Sequence, residues 1–200
     1  MVSTANETRR SFLASVGAAS LAGLAGCTSV RFPGTPIGVQ RTVYIGSFHW
    51  GFVLLREDGQ EIEQLRLNRG TTVRLVAFNV NAAATERLPR SIRDALPEHE
   101  ALEERNEGAI PEPSGGDLHE LLEVANERNP HHGLAVMPAT HGPGMMSGMM
   151  LHPVGLPADA GAPVEVTRSA TVRGEFSLLC TVYCGYGHPY MNKPSAIVVS

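Results

Sequence analysis

The segment Cys180-Thr-Val-Tyr-Cys184-Gly-Tyr-Gly-His188-Pro-Tyr-Met191 constrains this chain more than any other. It sets two thiols, an imidazole and a thioether in the spacing C-x3-C-x3-H-x2-M. Donors of this soft and borderline kind select copper over hard cations. A further donor stands upstream in Pro130-His131-His132-Gly133-Leu134, where a strand is expected to begin. Other readings of the thiol pair leave residues idle. A disulfide would leave His188 and Met191 in register without a purpose. A zinc site of Cys180, Cys184, His188 and His132 would leave Met191 unused. A mononuclear blue-copper site needs one cysteine, so the second thiol argues against it.

Length and composition point the same way. The chain has 200 residues, room for one domain of ordinary size with extensions. Charged residues make up 18%, below the usual quarter or so, while 21 Gly and 14 Pro exceed their usual share. A turn-rich β protein is expected. The net charge of −4 provides no basic footprint, which argues against nucleic acid as a partner. Three cysteines exclude a disulfide scaffold.

The third of these, Cys27, closes the N-terminal region. Thr8-Arg9-Arg10-Ser11-Phe12-Leu13 resembles a twin-arginine (Tat) export signal, and Leu24-Ala25-Gly26-Cys27 resembles a lipobox, after which the cysteine is lipidated. The apolar stretch between them would span only about 22 Å as a helix, short of the roughly 30 Å of hydrocarbon in a bilayer. The expected organisation is a signal over residues 1–27, a Pro- and Gly-rich linker over 28–40 and a folded domain over 41–200. The domain would lie outside the cytoplasm, tethered to the membrane by lipid on Cys27.

Within 41–200 the β signals are short and punctuated. Val43 and Ile45 alternate on one parity, and Phe48, Trp50 and Phe52 on the other, which predicts a β-bulge at Gly46-Ser47. Leu65 and Leu67, then Val73, Leu75 and Ala77 beyond the turn Asn68-Arg69-Gly70, predict two more strands. Others are expected at 134–136, 163–166, 175–179 and 196–199. Residues 82–129 differ: 87–105 and 117–128 carry apolar residues at near-helical spacing, broken by Pro111, Pro113, Gly115 and Gly116. From Glu86 to Arg128 there are twelve acids against five arginines, a local balance of −7. This insertion is either a solvated cap or a docking surface for a basic partner.

The C-x3-C-x3-H-x2-M loop, Thr42-Val-Tyr-Ile45 with Trp50-Gly51-Phe52, Asn68-Arg-Gly-Thr-Thr-Val-Arg-Leu75 and His132-Gly133 together resemble a family. This is the binuclear CuA cupredoxin domain of heme-copper (cytochrome c) oxidase subunit II, found also in nitrous oxide reductase. The resemblance is closest to the compact subunit II of ba-type oxidases and covers about 41–80 and 131–200. It implies an all-β fold, a cupredoxin Greek-key β-sandwich with a helical insertion, and a cofactor of two copper ions. Cys180 and Cys184 would bridge the ions as thiolates. His132 and Met191 would complete one, and His188 with the backbone carbonyl of Val182 the other; His131 competes with His132, whose following Gly133 favours it. The implied role is one-electron transfer: from a donor such as cytochrome c or a blue-copper protein to oxidase subunit I or a similar reductase, including nitrous or nitric oxide reductases. A copper chaperone delivering Cu(I) through Cys and Met ligands is the alternative from another class.

Two features depart from the family or exceed it. Many subunit II sequences carry Glu where Val182 stands, so the neighbouring Mg site of those proteins is not expected here. The stretch 137–152 is longer than the family needs. Its Met145, Met146, Met149 and Met150, with His141 and His152, are candidates for auxiliary copper. Trp50 matches the family's aromatic strand and is a candidate for the residue through which electrons come in.

Overall fold

The computed structural model describes residues 38–139 and 148–200. The signal, Cys27, His141, Met145 and Met146 lie outside the described residues. Among the described residues nine strands form two sheets. Strands β1 (Arg41–Phe48), β2 (Gly51–Arg56), β4 (Thr72–Asn79) and β7 (Val164–Ser169) make one sheet in the order β2-β1-β4-β7. Strands β3 (Leu65–Leu67), β5 (His132–Pro138), β6 (Leu151–Leu156), β8 (Gly174–Leu179) and β9 (Asn192–Val199) make the other in the order β3-β9-β8-β5-β6. β1 and β4 pair in parallel, as do β3 and β9, and the other ladders are antiparallel. The all-β sandwich with a helical insertion is the architecture expected. No helix among the described residues is long and apolar enough to cross a membrane.

The insertion between β4 and β5 is helical, in shorter pieces than its periodicity suggests. A 3-10 turn at Ala83–Arg87 precedes α1 (Arg90–Arg93), α2 (His99–Glu107) and α3 (Leu118–Arg128). The expected helix over 87–105 is divided because Pro89 and Pro97 cannot donate a backbone N–H and push the residues before them out of helical conformation. Asp117 caps α3, its carboxylate accepting from the Glu120 N–H at 3.1 Å.

The insertion gives the molecule a third layer. Val43, Ile45, Phe52, Leu54 and Leu75 face the second sheet and meet Leu134, Val136, Phe176, Leu178 and Ile197. On the opposite face Tyr44, Phe48, Val53, Leu55, Val76 and Phe78 pack under Leu88, Ile92 and Leu102 of the insertion. β1, β2 and β4 are therefore apolar on both parities, as strands covered on both faces are. The same fact corrects the predicted bulge at Gly46-Ser47. β1 keeps its register with β2 from Val43↔Arg56 to Phe48↔Gly51, and the change of parity arises at His49-Trp50, where the chain reverses. β6 was not expected: its sequence, Leu-His-Pro-Val-Gly-Leu, shows no clear alternation, and it pairs with β5 across a register shift.

Leu102 is the point where α2 enters the outer core. Leu102→Ala is expected to destabilise the domain by about 2–5 kcal/mol, read as a lower urea midpoint at unchanged slope.

Candidate metal centre

The loop between β8 and β9 is tied at its neck. Leu179 pairs with Asn192, and the Cys180 N–H donates to the Met191 carbonyl at 3.2 Å. Within it, the His188 N–H reaches the Gly185 carbonyl at 3.1 Å and starts a 3-10 turn over His188–Tyr190. Two glycines let the loop sit down on its neighbours. Gly185 has φ +97° and a Cβ there would overlap Ala125 of α3; a Cβ at Gly187 would overlap the Trp50 indole. Any side chain at either position would lift the loop.

This folding brings the predicted donors together around Cys184, which is fully buried. Its sulfur lies 3.9 Å from Cys180 Sγ, 3.5 Å from His188 Nδ1 and 3.6 Å from Met191 Sδ. Cys180 Sγ lies 3.1 Å from the Val182 carbonyl oxygen, so that carbonyl is turned to the sulfurs although its side chain is exposed. From the facing strand, His132 at the start of β5 completes a group with Cys180 and Cys184 whose donor atoms lie within 4.8 Å of one another. Among the described residues it is the group of three or more His, Cys, Asp or Glu side chains so placed. His131 is exposed and turned away, its Nδ1 accepting from the Ala158 N–H at 3.0 Å. The structure thus places His132, and not His131, at the thiols.

The electrostatics suit a cation. The Cys180 thiol is held well below the ordinary range by its contact with the Cys184 sulfur, against the cost of burial. Cys184 is pushed up because it holds the shared proton and because it is buried beside that developing charge. Both ring nitrogens of His132 are buried without a hydrogen-bond partner. Burying such groups unpaired costs about 1–3 kcal/mol each, so a bound cation would satisfy what the protein leaves open. Two thiols, two imidazoles, a thioether and a carbonyl fit a soft or borderline metal ion and not a hard one.

Sequence reasoning missed one residue here. His49 is 1% exposed, its ring centroid 4.4 Å from that of His132 and 5.2 Å from that of Trp50. Its Nε2–H donates to the Asn129 carbonyl, just past α3, at 3.2 Å. Its pKa is lowered to about 4, by burial first and then by His132. A single histidine in an aromatic run has no spacing partner, so no motif marked it.

The other candidates divide. Trp50 is 3% exposed, against the backbone of Gly187 one residue before His188. It lines a cleft of about 620 Å³ with His99, Glu100, Glu103, Glu104, Glu107, His119 and Glu123 of the insertion. Met150 is buried in the inner core, Met149 is half-buried and His152 is exposed on β6. Around the loop Val182, Tyr183, Tyr186 and Tyr190 are exposed, and Tyr186 donates to the Pro111 carbonyl of the insertion at 3.1 Å.

No family model matches the chain, and no curated protein matches it. Among solved structures it is similar to the periplasmic domain of subunit II of cytochrome oxidase (CoxB) of Bradyrhizobium japonicum: 10% identity, 81% of this chain, 85% of that chain, TM-score 0.41. It is also similar to a chain of a heme-copper terminal oxidase dimer (12%, 80% and 63%, TM-score 0.37). A third is auracyanin A, a blue copper protein from Chloroflexus aurantiacus (16%, 80% and 98%, TM-score 0.38). What the centre can hold follows from its own donor atoms.

Two outcomes follow for the metal-free protein. Cys180 should be alkylated by iodoacetamide at pH values well below the ordinary thiol range near 8.5, and Cys184 should stay unreactive, as peptide mapping would show. His49 is harder to protonate folded than unfolded, so its contribution to stability is complete above about pH 6.5 and is lost progressively as the pH falls toward 4. Acidification across that window should remove about 3 kcal/mol, and His49→Gln should remove that part of the pH dependence in denaturant titrations.

Proposed function

We propose that this chain is an extracytoplasmic electron-transfer protein with a binuclear copper centre of the CuA type. Cys180 and Cys184 would hold both ions as thiolates; His132 and Met191 would complete one, and His188 with the Val182 carbonyl the other. The observation that carries this reading is the buried Cys184 sulfur in contact with Cys180, His188 and Met191 at once, with the unsatisfied His132 beside them. A lone ion would leave part of this donor set idle. When bound, the copper pair supplies a one-electron couple whose charge is shared over both ions.

The chain's own residues keep that couple fast. Strands β5, β8 and β9 fix the ligands on a rigid sheet, so little rearrangement accompanies a change of charge. Buried Cys184, Met191 and His132 exclude water, while exposed Tyr183, Tyr186, Tyr190 and Val182 bring a contact surface next to the ligands. Electrons would come in through Trp50 from a donor such as cytochrome c or a blue-copper protein, with the acidic cleft selecting a basic one. They would leave to subunit I of a heme-copper oxidase or a related reductase. The domain would stand outside the cytoplasm, exported through the twin-arginine signal and anchored by lipid on Cys27, with reduction of oxygen or nitrogen oxides belonging to the complex. A chaperone would need ligands open to exchange, and the burial of three of these donors favours a resident metal.

The copper-loaded protein should be purple, hold two copper ions per chain and give a seven-line mixed-valence electron paramagnetic resonance spectrum. Cys184→Ser should abolish the colour and that spectrum. One copper with a four-line spectrum, or a colourless Cu(I)-only protein that gives up its metal to a partner, would overturn the reading. Trp50→Phe with the copper spectrum intact should slow reduction by the donor.

A further inference from the structure

His49 belongs to no donor motif, yet its hydrogen bonding decides how its ring is protonated. A carbonyl oxygen can only accept, so the 3.2 Å bond to Asn129 places the His49 proton on Nε2. Its Nδ1 then carries a lone pair and no hydrogen. That atom is buried and unpartnered. The adjacent ring, His132, has two buried nitrogens, also unpartnered. When one nitrogen of a neutral imidazole binds a metal, the other carries the proton and needs an acceptor. An orphaned donor and an orphaned acceptor thus lie on rings 4.4 Å apart, inclined at 66°. The neighbouring unpartnered Trp50 Nε1 is itself a donor and cannot serve.

We propose that His49 is the positioning residue of the metal centre: its Nδ1 accepts the N–H that His132 turns away from the metal, and the Asn129 carbonyl holds His49 in the tautomer that can do so. The chain Asn129 carbonyl, His49, His132, metal fixes the rotation of the ligand ring and makes it a stronger donor. It also runs from the end of α3 to the centre, so the insertion supports a ligand from behind. The inference rests on the reading above in taking His132 as a ligand, and it needs a metal there without requiring copper.

The test starts with wild-type protein loaded with zinc, which is diamagnetic and takes thiolate and imidazole donors. Imidazole ¹⁵N spectra should show His49 protonated at Nε2 alone, and a scalar coupling across an N–H···N bond from His132 to His49 Nδ1. With copper, His49→Leu should lower metal affinity about 10–100-fold. It should also raise the reduction potential, because a less basic ligand stabilises the higher charge less. His49→Gln, whose amide oxygen can accept, should restore both toward wild type. A missing coupling, or a His49→Leu protein with wild-type affinity and potential, overturns the proposal. If the zinc protein shows the coupling while copper gives no binuclear spectrum, the copper reading falls and the role of His49 stands.

Discussion

The structure depends on one unfulfilled requirement, the two buried ring nitrogens of His132 that the protein does not satisfy from within, set beside a buried cluster of thiol and thioether sulfurs. Cys184 sits wholly inside, against three other donors, and His132 faces it with both nitrogens free. Polar atoms left so are normally paired with protein or water. The surrounding architecture serves to bring them into register. β8 and β9 carry the two ends of one loop, β5 delivers His132 from the neighbouring strand, and α3 and Trp50 press on Gly185 and Gly187.

The helical insertion changes what a two-sheet sandwich can do. In a two-layer sandwich one face of each sheet is available to solvent, whereas here the outer face of β2-β1-β4 is a second core. Its helices therefore cannot be a detached solvated cap. They contribute apolar residues below, carboxylates to the cleft above Trp50, and a backbone carbonyl to His49.

Much of this was legible in the residues, and the failures have identifiable causes. The ligand loop stands out because chemistry demands particular side chains at fixed intervals, and Cys180, Cys184, His188 and Met191 come together as their spacing implies. Strands such as β4 and β8 were found from their β-branched and aromatic alternation. β6 gives no clear signal because Pro153 and Gly155 interrupt it, and the change of parity that suggests a bulge at Gly46-Ser47 has another source, since strands buried on both faces lose the alternation that reports their register. The choice between His131 and His132 needed the pairing of β5 with β8, since adjacent residues of a strand point to opposite faces. His49 could be found only in three dimensions, because its partners Asn129 and His132 lie some eighty residues away.

The knot that closes the ligand loop has a consequence for how the protein could be remade. Between the Leu179↔Asn192 pair and the bond from Cys180 to Met191, the loop joins the sandwich through a doorway of two adjacent strands. Its interior adds no rung to either sheet. The β ladders are thus closed without the loop, but its Cys184 and Met191 fill part of the inner core, so a transplanted loop of another length or composition would keep the same chassis only if it refilled that space.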